Sequence, residues 1–352
     1  MRHDAADPPF AEGGGFEEGP SRSVVRQRRV GRTNRAGLRV DGRSRGLRGG
    51  RDARSGARRE GEERGPGQFA SRWGTPFWDR RLRSSPPVLM GIDLLIFDLD
   101  GTVYRGTEPT PHAAETLARL RRSGRRVRFA TNNSAILAEE VVERLRGVGI
   151  EAEEAEVLTS AQVAAEYALT EGLRSAFVVG DPGLCHTLRR GGIGVVNAGE
   201  PGDVSDLSEG TPDCVIAGIC RTFSYELLDG AMQWIRSGAR FLATNRDATY
   251  PLEQGRLQPG AGPIVAAIEA ASQTSPTTMG KPEPRMVERF VRETGVPAER
   301  TLVIGDRVDT DIESGLRAGC QVHLVLCGVT SSAPEGVPAS PDLRGILARC
   351  SL

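Results

Sequence analysis

Lysine is nearly absent from this 352-residue chain: Lys281 is the sole example, and every other basic residue except the four histidines is arginine. Aromatic residues are scarce too, at 5%, which leaves little ring surface for stacking on bases. No run of about 18 apolar residues occurs, so no membrane-spanning helix is expected. Residues 1–89 lack a central apolar stretch, so no secretory signal is expected. The six cysteines (185, 214, 220, 320, 327 and 350) form no CxxC pair and no His/Cys metal spacing. That excludes zinc ribbons and dithiol redox motifs. Their mostly apolar, strand-like surroundings predict free core thiols in a reducing, cytoplasmic setting. No internal repeat at solenoid period is visible.

Net charge is zero as well, but the balance hides two unlike segments. Residues 1–89 hold 20 Arg against 11 Asp and Glu, while the remainder holds 26 basic and 35 acidic residues. The first segment is rich in Gly and Arg and poor in aliphatic periodicity. It buries too little apolar surface to offset chain entropy and is expected to be disordered. Arg/Gly-rich segments can bind nucleic acid, yet only Phe10, Phe16 and a cluster from Phe69 to Trp78 supply stacking rings here. Organelle transit peptides avoid acids, and this segment has eleven. Met90 is the first methionine after Met1 and stands just before the first strand, so a start misassigned upstream of Met90 is the reading that fits. The following stretch is long enough for two compact domains.

From Met90 onward strand-like and helix-like runs alternate. This predicts an α/β architecture with a parallel sheet covered by helices on both faces. Leu94 to Phe97 is an apolar run that ends in Asp98, with Asp100 two residues on and Gly101-Thr102 breaking the chain. Such a run reads as a buried parallel strand. Its carboxyl end faces the crevice where open α/β sheets bind ligands. Two acids there need a cation or a reaction to justify them, although a strand end with solvated acids would read alike. Val127–Ala130 is a second run, ending in Thr131-Asn132-Asn133-Ser134, with Ser134 placed to cap a helix near 135–146. A third, Thr301–Ile304, leads into Gly305-Asp306-Arg307-Val308-Asp309-Thr310-Asp311. In it Asp309 reads as a helix N-cap and Arg307 as an ion-pair partner. Between them stands Lys281, where a compact ammonium suits a phosphate held as a point charge. Chance survival of one surface lysine is the plain alternative. His112, His186, His323, Met232, Trp234 and the Gly191–Gly194 cluster lack partners or context and read as structural.

In this order the four clusters resemble the motifs of the haloacid dehalogenase superfamily of phosphohydrolases, over roughly Ile92 to Val329. The resemblance implies a Rossmann-like parallel-sheet core. In it Asp98 is the nucleophile that forms an aspartyl phosphate, and Asp100 is general acid and then general base. Thr131, Asn132, Asn133 and Lys281 would bind the phosphate. Mg2+ would be held by the Asp98 carboxylate, the Asp100 carbonyl and the Asp306 carboxylate. Asp311 would stand behind them, orienting Lys281 or a metal-bound water.

Roughly 150 residues separate Asn133 from Lys281, far more than one crossover needs. Their own strand–helix alternation predicts an inserted α/β cap at 159–261, with the core formed by 90–158 and 262–352. A large cap at this place resembles subfamily IIA, the branch of p-nitrophenylphosphatases, phosphoglycolate phosphatases and nucleotide phosphatases. Ala243-Thr244-Asn245-Arg246-Asp247 and Pro259-Gly260-Ala261-Gly262 resemble that branch in particular. Asn245, Asp247 and Tyr250 are expected to form the loop that sets specificity, and related members can carry His where Tyr250 stands. The function implied is a cytoplasmic, Mg2+-dependent phosphatase of a small phosphorylated metabolite, with no membrane partner and with a homodimer allowed. Two rivals are a phosphotransferase or mutase with the same nucleophile, and a nucleic-acid-binding protein acting through the leader.

Overall fold

β1 (Leu94–Phe97) is apolar and buried at all four positions, as a strand covered on both faces must be. It belongs to a computed structural model that describes residues 91–197, 211–252 and 256–352, all within the unit Pro66–Leu352. The expected disorder of residues 1–89 and the start at Met90 lie outside the described residues.

After β1, the short strands β2 (Tyr104–Arg105) and β3 (Glu108–Pro109) pair as a small hairpin. α1 (Ala113–Arg122) turns Ala113, Leu117 and Leu120 inward and carries Arg121 and Arg122 in its last turn, where cations suit the helix dipole. Next come β4 (Arg126–Thr131), α2 (Ala138–Gly147), β5 (Val157–Thr159) and α3 (Ser160–Thr170). A second series holds β6 (Ser175–Val179), α4 (Pro182–Arg190), β7 (Gly194–Val195), β8 (Cys214–Ala217), α5 (Tyr225–Arg236) and β9 (Arg240–Ala243). The hairpin of β10 (Thr249–Pro251) and β11 (Leu257–Pro259) leads into α6 (Ala261–Ser272) and β12 (Thr277–Thr278). The last series is α7 (Arg285–Thr294), β13 (Thr301–Gly305), α8 (Glu313–Arg317), β14 (Gln321–Val325), β15 (Ala339–Ser340) and α9 (Gly345–Arg349).

Two parallel sheets result, one in the order β15-β14-β13-β1-β4-β5 and one in the order β12-β9-β8-β6-β7. The α/β class and the parallel core expected from the alternation are both present. Along β1 the side chains divide by parity. Leu95 and Phe97 pack with Leu117, Val141 and Leu145 of α1 and α2. Leu94 and Ile96 join a cluster that holds Met286 and Phe290 of α7, Ala161, Ala164 and Ala168 of α3, and Ala176 and Val178 of β6. The small residues of α3 therefore let one apolar layer run from the first sheet into the second.

Two expectations need correction. The limits 159–261 and 262–352 gave α6 to the first sheet's domain. Instead Val265 and Ile268 of α6 pack with Leu227, Ala231 and Phe241 of the second sheet, and β12 pairs with β9. The Pro259–Gly262 break is a turn into a helix, not a domain boundary. Likewise Ser134 does not cap α2, which begins at Ala138. There the Glu140 carboxylate accepts from the Leu137 N–H at 2.6 Å, while Ser134 Oγ meets Thr244 Oγ1 at 3.2 Å.

None of the six cysteines is in a disulfide; five are buried and Cys327 is half-buried. No helix among the described residues is long and apolar enough to cross a membrane. His323 sits inside β14 with its Nε2 2.9 Å from Ser340 Oγ and no partner for Nδ1. Burial, aided by Arg349, pushes its pKa down from 6.5 to about 4. Above pH 6.5 the ring is neutral in both states. As pH falls from there, the unfolded chain gains a proton that the folded one refuses until about pH 4. Stability is therefore lost across that window, by about 3 kcal/mol at most. His323→Gln is expected to lose less stability than the parent between pH 7 and 4.5, read from urea midpoints. Equal losses in the two proteins would place the acid sensitivity elsewhere.

Candidate active site

Asp98 follows β1 directly, and its N–H donates to Ile304 O at 2.8 Å, which sets it level with the end of β13. β1 lies between β13 and β4, so the carboxyl ends of all three strands meet at one edge. Asp98 and Asp100 come from the first, Thr131 and Asn132 from the third, and Asp306 from β13. Lys281 arrives from the segment after β12.

Lys281 is the centre of the arrangement and only 3% exposed. Its Nζ lies 2.5 Å from Asp98 Oδ1, 2.7 Å from Asp311 Oδ1 and 3.0 Å from Ala130 O. An ammonium has three donors, and all three are used. Burial opposes the charge, but Asp311 and Asp98 outweigh it and hold the pKa above its ordinary value. Asp311 Oδ2 also accepts the Arg307 N–H at 3.0 Å.

Asp98, Asp306 and Asp311 each present a carboxylate oxygen, all within 4.8 Å of one another. Asp306 accepts from Val329 N at 2.6 Å and from Thr102 Oγ1 at 3.3 Å. Two glycines make room for it. A Cβ at Gly101 (φ +98°) would stand 2.5 Å from Asp306 Oδ2, and one at Gly328 only 2.0 Å. Burial raises the pKa of Asp98, with Lys281 opposing and Asp100 adding. Burial also lifts Asp306 well above the carboxylate range, reinforced by Asp98 and Asp311. For Asp311 burial wins against Lys281, to about 6. One ammonium does not neutralise this cluster. A hard divalent cation with oxygen ligands would, so the donor set fits one.

The cavity above is lined by ten of the residues singled out from the sequence: Asp98, Asp100, Thr131, Asn132, Asn133, Asn245, Asp247, Tyr250, Lys281 and Asp311. Several are committed in ways their spacing did not reveal. The Asn132 amide ties the segments together rather than standing free. Its Oδ1 accepts from Lys281 N at 2.8 Å, and its Nδ2 donates to Lys281 O at 3.0 Å and to Asp247 at 3.1 Å. Asn245 Nδ2 reaches Asn132 O at 2.7 Å. Thr131 Oγ1 accepts the Asn133 N–H at 3.0 Å and stands 3.5 Å from Asp100 Oδ2. The Tyr250 hydroxyl is bonded to Gln258 and accepts from Arg221 at 3.2 Å, so its ring is what it offers the cavity. Burial raises the pKa of Asp247, against the pull of Arg307. Asp309 is not an N-cap. It lies within the π-helical turn Val308–Ile312 and pairs with Arg307, whose Nη1 also donates to Thr249 O at 3.1 Å.

Sequence reasoning missed Thr102, Gly328, Val329 and Arg221. Gly328 had a signal: it ends the apolar run Leu324–Cys327, which extends two residues past β14. Arg221 had none.

Comparison with known proteins accords with this geometry. The profile of haloacid dehalogenase-like hydrolases matches residues 95–194, and a second HAD-hydrolase-like profile matches 278–344. A 5'-nucleotidase of Bacillus subtilis is 34% identical over 238 residues, 67% of this chain and 87% of that protein. The D-glycerol 3-phosphate phosphatase of Mycobacterium tuberculosis is 38% identical over 255 residues, 72% of this chain and 67% of its own. A glycerol phosphate phosphatase from Mycobacterium tuberculosis, solved in complex with magnesium, superposes with a TM-score of 0.64 at 35% identity and covers 73% of this chain and 77% of its own. On the strength of these matches the chain belongs to the family of haloacid dehalogenase-like hydrolases.

Proposed function

We propose that this chain is a Mg2+-dependent phosphatase that hydrolyses a small phosphorylated metabolite through an aspartyl phosphate on Asp98. The observation that carries the reading is Asp98 itself, a strand-end carboxylate held by Lys281 at the floor of a cavity that Asp100 also lines. Phosphate monoesters hydrolyse very slowly unaided, so the site must supply a nucleophile, charge compensation and a proton. Asp98 attacks phosphorus, forming the O–P bond as the ester O–P bond breaks, and Lys281 keeps its carboxylate oriented. Asp100 delivers a proton to the departing alkoxide. Its pKa is raised by burial, against Arg144 and Lys281, the direction that a proton donor needs. Asp100 then takes a proton from the water that cleaves the acyl phosphate and restores Asp98. Bound by Asp98, the Asp100 carbonyl and Asp306, Mg2+ would offset the phosphate's charge.

The test is a phosphate-release screen over a metabolite panel, with and without competing alcohol acceptors. Release of inorganic phosphate in step with free alcohol supports a hydrolase. Transfer to the acceptors in place of release would make the chain a phosphotransferase. For the cation, Asp306→Asn is expected to raise the Mg2+ concentration for half-maximal turnover at least about tenfold. It should also abolish the Mg2+-induced rise in Tm. In EDTA the same variant should melt no lower than the parent, because it removes one charge from a crowded carboxylate cluster. An unchanged Mg2+ shift in Tm would remove Asp306 from the ligand set.

A further inference from the structure

We infer that Asn132 is a positioning residue: its carboxamide clamps the Lys281 peptide so that the ammonium lands on Asp98, and the side chain does not bind the phosphate. This role rests on the phosphatase reading above and replaces the phosphate-binding part that the resemblance implied for Asn132.

The hydrogen bonds of the amide carry it. Asn132 is buried, and its Oδ1 accepts the Lys281 N–H at 2.8 Å. Its Nδ2 donates to the Lys281 carbonyl at 3.0 Å. One planar side chain thus grips both backbone groups of a single residue, as an antiparallel neighbour strand would. The direction in which the amide faces follows, because the Lys281 N–H needs an acceptor and the Lys281 carbonyl needs a donor. The second Nδ2 hydrogen goes to Asp247, whose two carboxylate oxygens are each 3.1 Å away. A carboxamide has two donor hydrogens, and both are taken, so none is left for a phosphate oxygen.

The clamp is itself held in place. Asn132 O accepts from Ser160 Oγ and from Asn245 Nδ2, each at 2.7 Å. On the facing segment a glycine makes the room. A Cβ at Gly280 would stand 2.4 Å from Asn132 Oδ1 and 2.6 Å from Thr244 O, so any side chain there would push the segments apart. The far end of the lysine meets the same strand, since Nζ donates to Ala130 O at 3.0 Å. The carboxyl end of β4 therefore holds Lys281 twice, by its peptide and by its ammonium. β4 pairs with β1, so this double hold sets Nζ against Asp98. Without the amide the peptide can slide, and the flexible four-carbon stem does not correct the error at Nζ.

The test is a double-mutant cycle on kcat for p-nitrophenyl phosphate with Mg2+, using the full chain, Asn132→Ala, Lys281→Ala and the double variant. Alone, Asn132→Ala is expected to lower kcat at least about tenfold. In the Lys281→Ala background the same change should cost less than about threefold, because no ammonium is left to misplace. A phosphate ligand, or a residue that only supports the fold, would cost its full factor in both backgrounds, so equal factors overturn the inference. Asn132→Asp enters the same cycle with the same expectation. It keeps an acceptor for the Lys281 N–H but turns a second oxygen toward the Lys281 carbonyl and Asp247. Hydrogen exchange in the parent needs no variant to fold. There the Lys281 amide should be protected equally with and without inorganic phosphate. Exchange at the rate of an open loop, or protection lost when phosphate is added, overturns the clamp. A parent that turns over the ester while the factors stay equal removes this inference alone. A parent that releases phosphate from no ester removes the phosphatase reading, and this inference with it.

Discussion

Asp98→Asn is expected to lower kcat below about 1% of the parent value while leaving the fold intact, a loss above about 2.7 kcal/mol in transition-state stabilisation. The amide matches the carboxylate in shape but is not a nucleophile toward phosphorus, so no acyl phosphate can form. Stability should not fall with activity. Asp98 shares a buried cluster with Asp306 and Asp311, and its carboxylate charge raises the pKa of both. Removing one of three crowded charges relieves repulsion, and Lys281 retains Asp311 at 2.7 Å and Ala130 O at 3.0 Å. The expected result is thus an inactive protein with an equal or higher Tm. Phosphate release and thermal melting on the same preparation check both halves. Turnover above 1% would sink the covalent mechanism, and a collapsed Tm would show that Asp98 is structural.

The strand ends were legible because a parallel strand buried on both faces leaves an apolar block with an abrupt polar stop. Leu94–Phe97, Val127–Ala130 and Thr301–Ile304 all have that form, and each delivers polar residues to the site. Contacts made across the two sheets were not legible. Asn132 reads as one more polar residue after a strand, yet its amide is spent on Lys281 and Asp247, which lie far away in sequence. The extent of the second sheet was hidden for a related reason. β12 is two residues long, and only its pairing with β9 assigns it. Ser134 misled because a serine before a helix is a common cap, whereas here its hydroxyl meets Thr244. The uniqueness of Lys281 was legible, but its reason was not. The lysine was expected to face a phosphate, whereas its three donors converge on Asp98, Asp311 and a backbone carbonyl.

That convergence makes Lys281→Arg a severe change in a chain that otherwise uses arginine for nearly all its positive charge. Three acceptors surround one nitrogen, at 2.5, 2.7 and 3.0 Å. A tetrahedral ammonium can point a hydrogen at each. A guanidinium is planar, longer and presents its donors as a fork, so no single nitrogen of it can serve three converging acceptors. The site has no slack to absorb the difference, because Lys281 is 3% exposed. Overpacking alone costs about 1–3 kcal/mol. If the fork pairs with Asp311 but misses Asp98, the nucleophile sits unpaired in a buried place and takes up a proton, which removes it from catalysis. If it pairs with both, it displaces Asp98, and a shift of about 1 Å costs on the order of a hundredfold. Lys281→Arg is therefore expected to lower kcat/KM at least about a hundredfold and to lower Tm, with circular dichroism confirming a folded chain. Near-parental efficiency in a folded Lys281→Arg protein would mean that the three contacts are incidental, and that this chain's one lysine survives by chance.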